Sequence, residues 1–249
     1  MSSSPSIQIR TLTTPVEFAQ AVDVQRRVWG FHELELLPVR LFVVASHVGG
    51  QTFGAYDGDR MVGFLLAIPG LKPGGKTYLH SHMLGVLKEC RDLGVGRMLK
   101  LKQREDARAR GIDLVEWTFD PLELKNAYLN LERLGVLVRR YVLNQYGFTT
   151  SHLHGGLPTD RCTAEWWVAS ARVEAIVSGR RRASTPVAAR IEVPATIEAL
   201  RRENPKQARA IQESVSRQFL AHLGAGLAVV GFERSEKAGT YLVGEWPSE

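Results

Sequence analysis

The most constraining feature of this 249-residue sequence is a short segment with two glycines, Arg91-Asp-Leu-Gly-Val-Gly96. A strand-like apolar run, Tyr78 to Leu87, precedes it, and an amphipathic helical pattern that ends near Gly111 follows it. Glycine allows turns that side chains resist, and a turn that leads into a helix exposes N–H groups at the positive end of the helix dipole. The segment therefore predicts a strand, a tight turn that can hold an anion such as phosphate, and a helix.

Two other phosphate-binding motifs do not fit this segment. A Walker loop would need Gly-Lys followed by Ser or Thr, and a dinucleotide-binding fold would need a third glycine and an acidic residue downstream. Arg91 and Arg97 add positive charge beside the turn. The alternative is a structural turn that binds nothing.

The rest of the first 177 residues predicts an α/β fold. A capping box, Thr14-Pro15-Val16-Glu17, begins a helix that ends near Gly30. Asp57-Gly58-Asp59 lies between two strand-like runs and predicts a hairpin. The remaining predicted elements are strands over 7–10, 51–56, 61–68, 112–119, 136–143 and 163–169, and helices over 38–47 and 122–134. This order predicts a mixed central sheet flanked by helices.

The composition changes after Val177, where Ser-Gly-Arg-Arg-Arg-Ala-Ser-Thr-Pro indicates a linker or an exposed loop. We therefore predict one domain over residues 1–177 and a small α+β extension over 178–249. The extension contains a long helix that begins at Asn204-Pro205, followed by strands over 227–232 and 240–244. It could cover a substrate pocket or pair with a second copy, so a homodimer is expected.

Composition and charge narrow the class of protein. No apolar run approaches the roughly 20 residues of a membrane span, and the first residues lack the blocks of a signal peptide, so we expect a cytoplasmic protein without a membrane segment. Cys90 and Cys162 lie far apart, and we expect both to be reduced. The net charge of +6 suggests an anionic partner. A phosphate-bearing small molecule fits as well as nucleic acid, because the charge is dispersed.

The segment and its neighbours resemble the GNAT acetyltransferase superfamily, whose signature is Arg/Gln-x-x-Gly-x-Gly/Ala between a strand and a long helix. Arg91-x-x-Gly94-x-Gly96 matches every fixed position, and the resemblance covers residues 7 to 170. The segments 117–121, 126–127 and 156–161 look like a bacterial subgroup with a C-terminal extension. The resemblance implies an acyl-CoA dependent N-acyltransferase that uses acetyl-CoA or succinyl-CoA and no metal.

The resemblance also implies where acyl-coenzyme A would bind. The pyrophosphate would lie on the glycine turn, and the pantetheine arm would lie in the gap between the strands before and after the signature. One backbone N–H of the first strand would polarise the thioester carbonyl. The coenzyme-binding residues would be Leu84, Gly85, Val86, Arg91, Leu93, Gly94, Val95, Gly96, Arg97 and Asn126.

The resemblance further implies attack by a neutral amine of a small molecule, possibly an amino acid, with a base and an acid to move protons. Many relatives carry a tyrosine where this sequence has Leu131, so Tyr128, one helical turn earlier, is a candidate acid with Tyr141 and Tyr146. Asp120 ends a strand and is a candidate base or the N-cap of the next helix.

Histidines provide further candidates. His80 and His82 share a strand face, so His82 could also be the base. With His152 and His154 the pair could form a metal site, although neither His-x-His motif has a diagnostic spacing to a carboxylate. For each candidate, simple packing remains the structural alternative. The alternative from a different functional class is a non-catalytic acyl-CoA sensor or a nucleic-acid-associated module. The net positive charge and the absence of a tyrosine at position 131 suggest it.

Overall fold

A computed structural model of the chain describes residues 6–147, 156–180 and 185–246. The chain forms two compact units, Met1–Val115 and Glu116–Glu249. Each unit combines β-strands with helices, so the predicted α/β class is confirmed. The described helices include none that is both long enough and apolar enough to cross a membrane. Cys90 and Cys162 are buried, and neither forms a disulfide.

The first unit contains strands β1 (Ile7–Thr11), β2 (Gln51–Asp57), β3 (Arg60–Leu71) and β4 (Thr77–Val86), which lie side by side in this order as an antiparallel sheet. Its helices are α1 (Pro15–Trp29), α2 (Val39–His47) and α3 (Val95–Ala109), with short 3-10 helices at Glu33–Glu35 and Lys88–Cys90. One apolar core contains buried side chains from β2, β3 and all three α-helices, and partly buried side chains of β1 and β4 pack against it. Burial of that core is the main stabilising contribution in this unit.

Helix α1 begins where the capping box predicts. The Thr14 hydroxyl accepts a hydrogen bond from the Glu17 N–H at 3.3 Å, and the Glu17 carboxylate accepts one from the Thr14 N–H at 3.0 Å. These hydrogen bonds satisfy donors that every helix leaves unpaired at its first turn. At the other end Gly30 adopts a φ of 64°, and its N–H bonds to the Arg26 carbonyl. The hairpin between β2 and β3 is also confirmed, with Gly58 at a φ of 58°.

The second unit contains most of β5 (Leu114–Phe119) together with β6 (Leu137–Val142), β7 (Arg161–Trp167), β8 (Ala189–Pro194), β9 (Ala228–Arg234) and β10 (Ala238–Gly244). They lie in the order β5-β7-β6-β9-β10-β8. Its helices are α4 (Leu124–Tyr128), which continues as a π-helix over Leu129–Leu134, α5 (Ala171–Val177), α6 (Ile197–Glu203) and α7 (Pro205–Gly224).

The residues after Val177 join the same sheet as the strands before them within this unit. Val138 of β6 pairs with Val229 of β9, and the adjacent core contains Leu137, Ala228, Val230 and Leu242. The long helix and the two strands expected after residue 203 are present as α7, β9 and β10. A separate domain over 178–249 stays a prediction. The structure describes strands β8, β9 and β10 of this segment as part of the sheet of the second unit.

Three elements of the second unit were not expected from the sequence: α5, β8 and α6. Strand β8 has an alternating pattern, in which exposed Arg190 and Glu192 alternate with buried Ile191 and Val193, but it is short and follows the linker-like segment. The predicted helix over 122–134 begins later and changes to π geometry after Tyr128. Trp166 of β7 is buried and donates its indole N–H to the Leu134 carbonyl at 2.7 Å.

Candidate functional site

The strand before the glycine segment carries a β-bulge. Leu66 of β3 pairs with Met83 of β4, but the next residue, Ala67, pairs with Ser81, so His82 is an extra residue in β4. A bulge leaves its extra residue outside the regular ladder and redirects the side chains around it. The backbone near His82 is therefore the irregular part of the strand that also carries Leu84, Gly85 and Val86.

The glycine segment forms the tight turn that the sequence predicts. Asp92 adopts a φ of 63° and Gly94 a φ of 79°, both in the left-handed region. Asp tolerates this conformation, and Gly adopts it without strain. Gly94 is the N-cap of α3, and without a side chain it has no oxygen to cap the first N–H groups of the helix. Those donors, together with the positive end of the dipole of a 15-residue helix, form an anion-binding geometry.

Gly85 and Gly96 differ in whether packing within the protein accounts for the absence of a side chain. A Cβ at Gly85 would lie 2.9 Å from the Trp29 ring, so packing against α1 alone requires glycine there. A Cβ at Gly96 would make only ordinary contacts, 3.6 Å from Leu84 and 4.0 Å from Val86. Protein packing does not demand a glycine at position 96, which fits a position that a ligand approaches closely.

The other predicted coenzyme-binding residues in this unit lie at the turn or in the first turn of α3. Arg91 is exposed, and its Nε donates to the Val86 carbonyl at 3.3 Å. Leu93 is exposed, whereas the Val95 side chain is buried in the core, so Val95 can offer a ligand only its backbone. Arg97 is half-buried in α3. The turn thus presents backbone donors with an arginine close in sequence on either side.

His80 and His82 share a face of β4, as predicted, with their ring centroids 5.9 Å apart. The His82 side chain is exposed to solvent, yet the surrounding protein atoms displace enough water that desolvation lowers its pKa. A lowered pKa keeps the imidazole neutral at neutral pH, which is the state that a base requires.

Asp120 is held by two partners in the second unit. Its Oδ1 accepts a hydrogen bond from the Leu122 N–H at 2.8 Å, and its Oδ2 forms an ion pair with Arg201 at 2.6 Å. Arg201, from α6, also contacts Glu123 at 2.7 Å. Burial, and then repulsion from Asp120, raise the pKa of Glu123. This arrangement is typical of a structural anchor for the turn after β5. The N-cap of α4 is Glu123, so the alternative that Asp120 caps that helix was wrong.

Tyr141 is also part of a buried network. Ser216 uses its single hydrogen to donate to Asp160 at 2.7 Å, so the Tyr141 hydroxyl, 2.8 Å from Ser216, must be the donor in that pair. The Tyr141 ring stacks on Phe219 with centroids 4.8 Å apart. Burial raises the pKa of Tyr141 far above its ordinary value, which makes it a weaker acid.

The tyrosine nearest to the family's usual position has a different environment. Leu131 is buried in the core, while Tyr128 is half-buried beneath the Arg234 guanidinium, 5.5 Å from its ring centroid. Asn126 lies on the exposed side of α4 and accepts a hydrogen bond from the Asn130 side chain at 3.3 Å. Tyr146 is 48% exposed, and its hydroxyl lies 2.8 Å from that of Thr118.

His152 and His154 lie outside the described residues, so the four-histidine metal site is not described. Within the described part of the chain, no group of three His, Cys, Asp or Glu side chains is arranged to hold a metal ion. Sequence reasoning missed two residues that contact the candidates, Arg201 and Ser216. It also missed Lys100, which reaches β4 from α3; its spacing with Gln103 and Ala107 on the buried helix face could have indicated it.

Comparisons with known proteins agree with this geometry. Residues 18–135 match a family model described as the Acetyltransferase (GNAT) family. A comparison with curated protein sequences gives no significant match.

Three solved structures illustrate the similarity. The ribosomal-protein-S18-alanine N-acetyltransferase from Escherichia coli is 16% identical, with a TM-score of 0.51 over 66% of this chain and 96% of that one. An aminoglycoside 6'-acetyltransferase type Ii is 21% identical, with a TM-score of 0.52 over 66% and 98%. The protein yncA from Salmonella typhimurium, solved with its cofactor acetyl-CoA, is 13% identical, with a TM-score of 0.53 over 68% and 99%. At these identities the likeness concerns the fold.

Proposed function

We propose that the chain carries a GNAT-family acetyltransferase domain over residues 18–135, where the family model matches, and that it transfers an acetyl group from acetyl-CoA to the amine of a small molecule. The observation that carries the proposal is the turn at Gly94 and Gly96. It presents N–H donors at the start of α3, and packing gives no reason for a glycine at position 96.

In this proposal the turn and the first residues of α3 bind the coenzyme pyrophosphate. Backbone donors and Arg91 balance its negative charge. The pantetheine arm runs along Leu84 to Val86 of β4, with one N–H of that strand directed at the thioester oxygen. Asn126 is a further proposed coenzyme contact. Succinyl-CoA is the alternative donor, because the many arginines suit a carboxylated acyl chain.

His82 is the proposed general base. Among the candidate catalytic side chains, His82 combines solvent exposure with a pKa shift that favours the proton-accepting form. Asp120 is engaged by Arg201 and by the Leu122 N–H, and the Tyr141 hydroxyl donates a hydrogen bond to Ser216. The base would remove a proton from the acceptor amine as that amine attacks the thioester carbon, and coenzyme A would leave as the thiol after protonation.

The acceptor class is a separate part of the proposal. The names of two similar structures, an aminoglycoside acetyltransferase and a protein N-acetyltransferase, concern different kinds of substrate, so they do not choose between small molecules and proteins. We propose a small-molecule amine such as an amino acid. A homodimer is also part of the proposal, and sedimentation of the full chain tests it.

A thiol-release screen tests the function. Acetyl-CoA and succinyl-CoA are each combined with D- and L-amino acids, other amines and short peptides, and free coenzyme A is measured by reaction of its thiol. We expect release that depends on both donor and acceptor. Tight coenzyme binding measured by calorimetry, with no turnover for any acceptor, would exclude the catalytic proposal.

That negative outcome would favour a non-catalytic acyl-CoA sensor. Two observations support this second candidate: Leu131 is a core residue at the position where many relatives carry a tyrosine, and Tyr141 is hydrogen-bonded within a buried network. The two candidates share the coenzyme-binding turn, so only turnover separates them.

A further inference from the structure

Ser81 and Leu84 of β4 both face helix α3, although they lie three residues apart in the strand. Lys100 of α3 donates to the Ser81 hydroxyl at 2.9 Å, and Leu84 would lie 3.6 Å from a Cβ at Gly96 of the same helix. Residues three apart in a regular strand point to opposite faces. Both contacts exist together because the bulge at His82 shifts the register between them. The bulged register and the Lys100 to Ser81 hydrogen bond therefore depend on each other.

Lys100 is fixed in place by a buried polar network. Its side chain is 4% exposed, and its Nζ donates to Ser81 and, at 3.0 Å, to the side-chain oxygen of Gln103. Gln103 in turn donates to Gln51 at 2.8 Å. A buried amine without hydrogen-bond acceptors is costly, so a register of β4 that removed the Ser81 hydroxyl would leave Nζ with less compensation. Desolvation also lowers the pKa of Lys100 well below its ordinary value.

The same helix links the bulge to the anion-binding turn. Lys100 follows Val95, the first residue of α3, by five positions, which places it roughly 7.5 Å further along the helix axis. Leu84 and Val86 are the side chains nearest to Gly96 on one side of the bulge, and Ser81 is held on the other. Helix α3 thus contacts β4 on both sides of His82, so the bulge cannot move along the strand without losing one of these contacts.

We propose that Lys100 is a positioning residue that holds β4 in its bulged register through Ser81 and thereby sets the direction of the His82 imidazole. The inference rests on the proposed function, since it gives His82 and the neighbouring backbone a task in acyl transfer. Loss of the bulge would shift the strand by one residue and direct the side chains beyond it to the opposite face. Neither Lys100 nor Ser81 needs to touch a substrate in this role.

Two substitutions remove the hydrogen bond from either end. Lys100→Met keeps the length of the side chain without its amine, and Ser81→Ala removes the hydroxyl. We expect each to lower kcat about tenfold, while the Kd for acetyl-CoA rises by a smaller factor, because the glycine turn proposed to bind the pyrophosphate does not include Lys100 or Ser81. The double variant should have the kcat of the slower single variant, since both substitutions break one bond.

Thr52→Val is the matched control. It removes another buried hydrogen bond of the first unit, from the Thr52 hydroxyl of β2 to the Leu12 carbonyl at 3.0 Å, and leaves the Lys100 to Ser81 hydrogen bond in place. A comparable loss of stability with unchanged kcat is expected for this variant. An equal loss of kcat in Thr52→Val would contradict a specific role for Lys100.

The imidazole signal of His82 in NMR gives a second measurement, which does not depend on turnover. At one fixed pH we expect Lys100→Met and Ser81→Ala to shift or split that signal, whereas Thr52→Val leaves it unchanged. If Lys100→Met does not fold, Ser81→Ala decides the question. An unchanged signal in a folded variant overturns the inference. A wild-type protein without any turnover overturns the proposed function instead, and the NMR result still reports on the positioning.

Discussion

The glycine turn and the Asp120 to Tyr141 region contain most of the candidate functional residues. They differ in whether backbone groups or side chains would contact the substrates. At Gly94 and Gly96 the candidate groups are backbone N–H donors at the start of a helix. At Asp120 and Tyr141 the candidate groups are side chains, and the fold uses both of them in buried hydrogen bonds and an ion pair. A side chain that could act in catalysis can instead be engaged by hydrogen bonds and ion pairs that stabilise the fold. Backbone N–H donors at the start of a helix stay available to a ligand unless a side chain caps them.

Distance along the chain accounts for this difference. Gly94 and Gly96 act within one local turn. Asp120 instead pairs with Arg201, 81 positions later, and Tyr141 pairs with Ser216, 75 positions later. Long-range partners of this kind decide whether a carboxylate or a phenol is available, and each prediction below tests one side of that contrast.

The largest effect should come from Arg201→Met. This change leaves Asp120 buried without its cation, so we expect a loss of about 3 to 5 kcal/mol in the free energy of unfolding, measured in urea. Arg202→Met is the control, because Arg202 is 69% exposed and its contact with Glu198 is 3.6 Å, so it should cost less than about 0.5 kcal/mol. A small effect of Arg201→Met would reopen Asp120 as a base, since its carboxylate would then not depend on the ion pair.

His82→Gln should have the next largest effect, about a hundredfold loss of kcat with little change in coenzyme affinity. Because the pKa of His82 lies below its ordinary value of 6.5, the wild-type rate should rise with pH to a plateau, with the midpoint of the rise below pH 6.5. The variant should lack this inflection.

His80→Gln is the control for His82→Gln, and it should keep the inflection. The same shift predicts a stability effect. Below pH 6.5 the unfolded chain binds a proton at His82 more readily than the folded chain, so the wild type should lose stability as the pH falls and the His82→Gln variant should lose less. An inflection that disappears only in His80→Gln would transfer the role of base to His80.

Gly96→Val tests the backbone side of the contrast. We expect the Kd for acetyl-CoA to rise about thirtyfold, the equivalent of one lost hydrogen bond to a charged phosphate. Folding should change less than coenzyme affinity, because the Cβ of the valine meets only ordinary contacts. Gly224→Val, at the end of α7 with open space around it, is the control and should change neither quantity. Equal affinity in wild type and Gly96→Val would exclude the turn as the phosphate site.

Local signals in the sequence predict most elements of the first unit. The capping box at Thr14 and the Asp57-Gly58-Asp59 hairpin depend on a few adjacent residues, and both form as predicted. The bulge at His82 could not be predicted, because it depends on contacts of β4 with β3 and α3 that lie far apart in sequence. The change to π geometry after Tyr128 likewise has no local signal, since neither proline nor glycine occurs between Tyr128 and Gly135.

The candidate site divides in the same way. Resemblance and turn chemistry together locate Arg91 to Gly96, whose geometry agrees with the expectation. The side-chain candidates could be named from their places on strands and helices, but their availability could not be judged. Ser216 looks like an ordinary polar residue in a long amphipathic helix, and only the folded chain brings it to Tyr141 and Asp160.

The smallest effect should come from Tyr141→Phe, which tests whether a committed side chain is truly excluded from chemistry. The variant loses one hydrogen bond to Ser216, and Ser216 keeps its bond to Asp160, so unfolding should become easier by about 1 kcal/mol. Its kcat should stay within about twofold of wild type, because the raised pKa makes Tyr141 a poor proton donor. Tyr146→Phe is the comparison, since Tyr146 is half-exposed. A large fall in kcat for Tyr141→Phe alone would mean that a buried, bonded phenol still supplies the proton to the departing thiolate, and the contrast between the two regions would then fail.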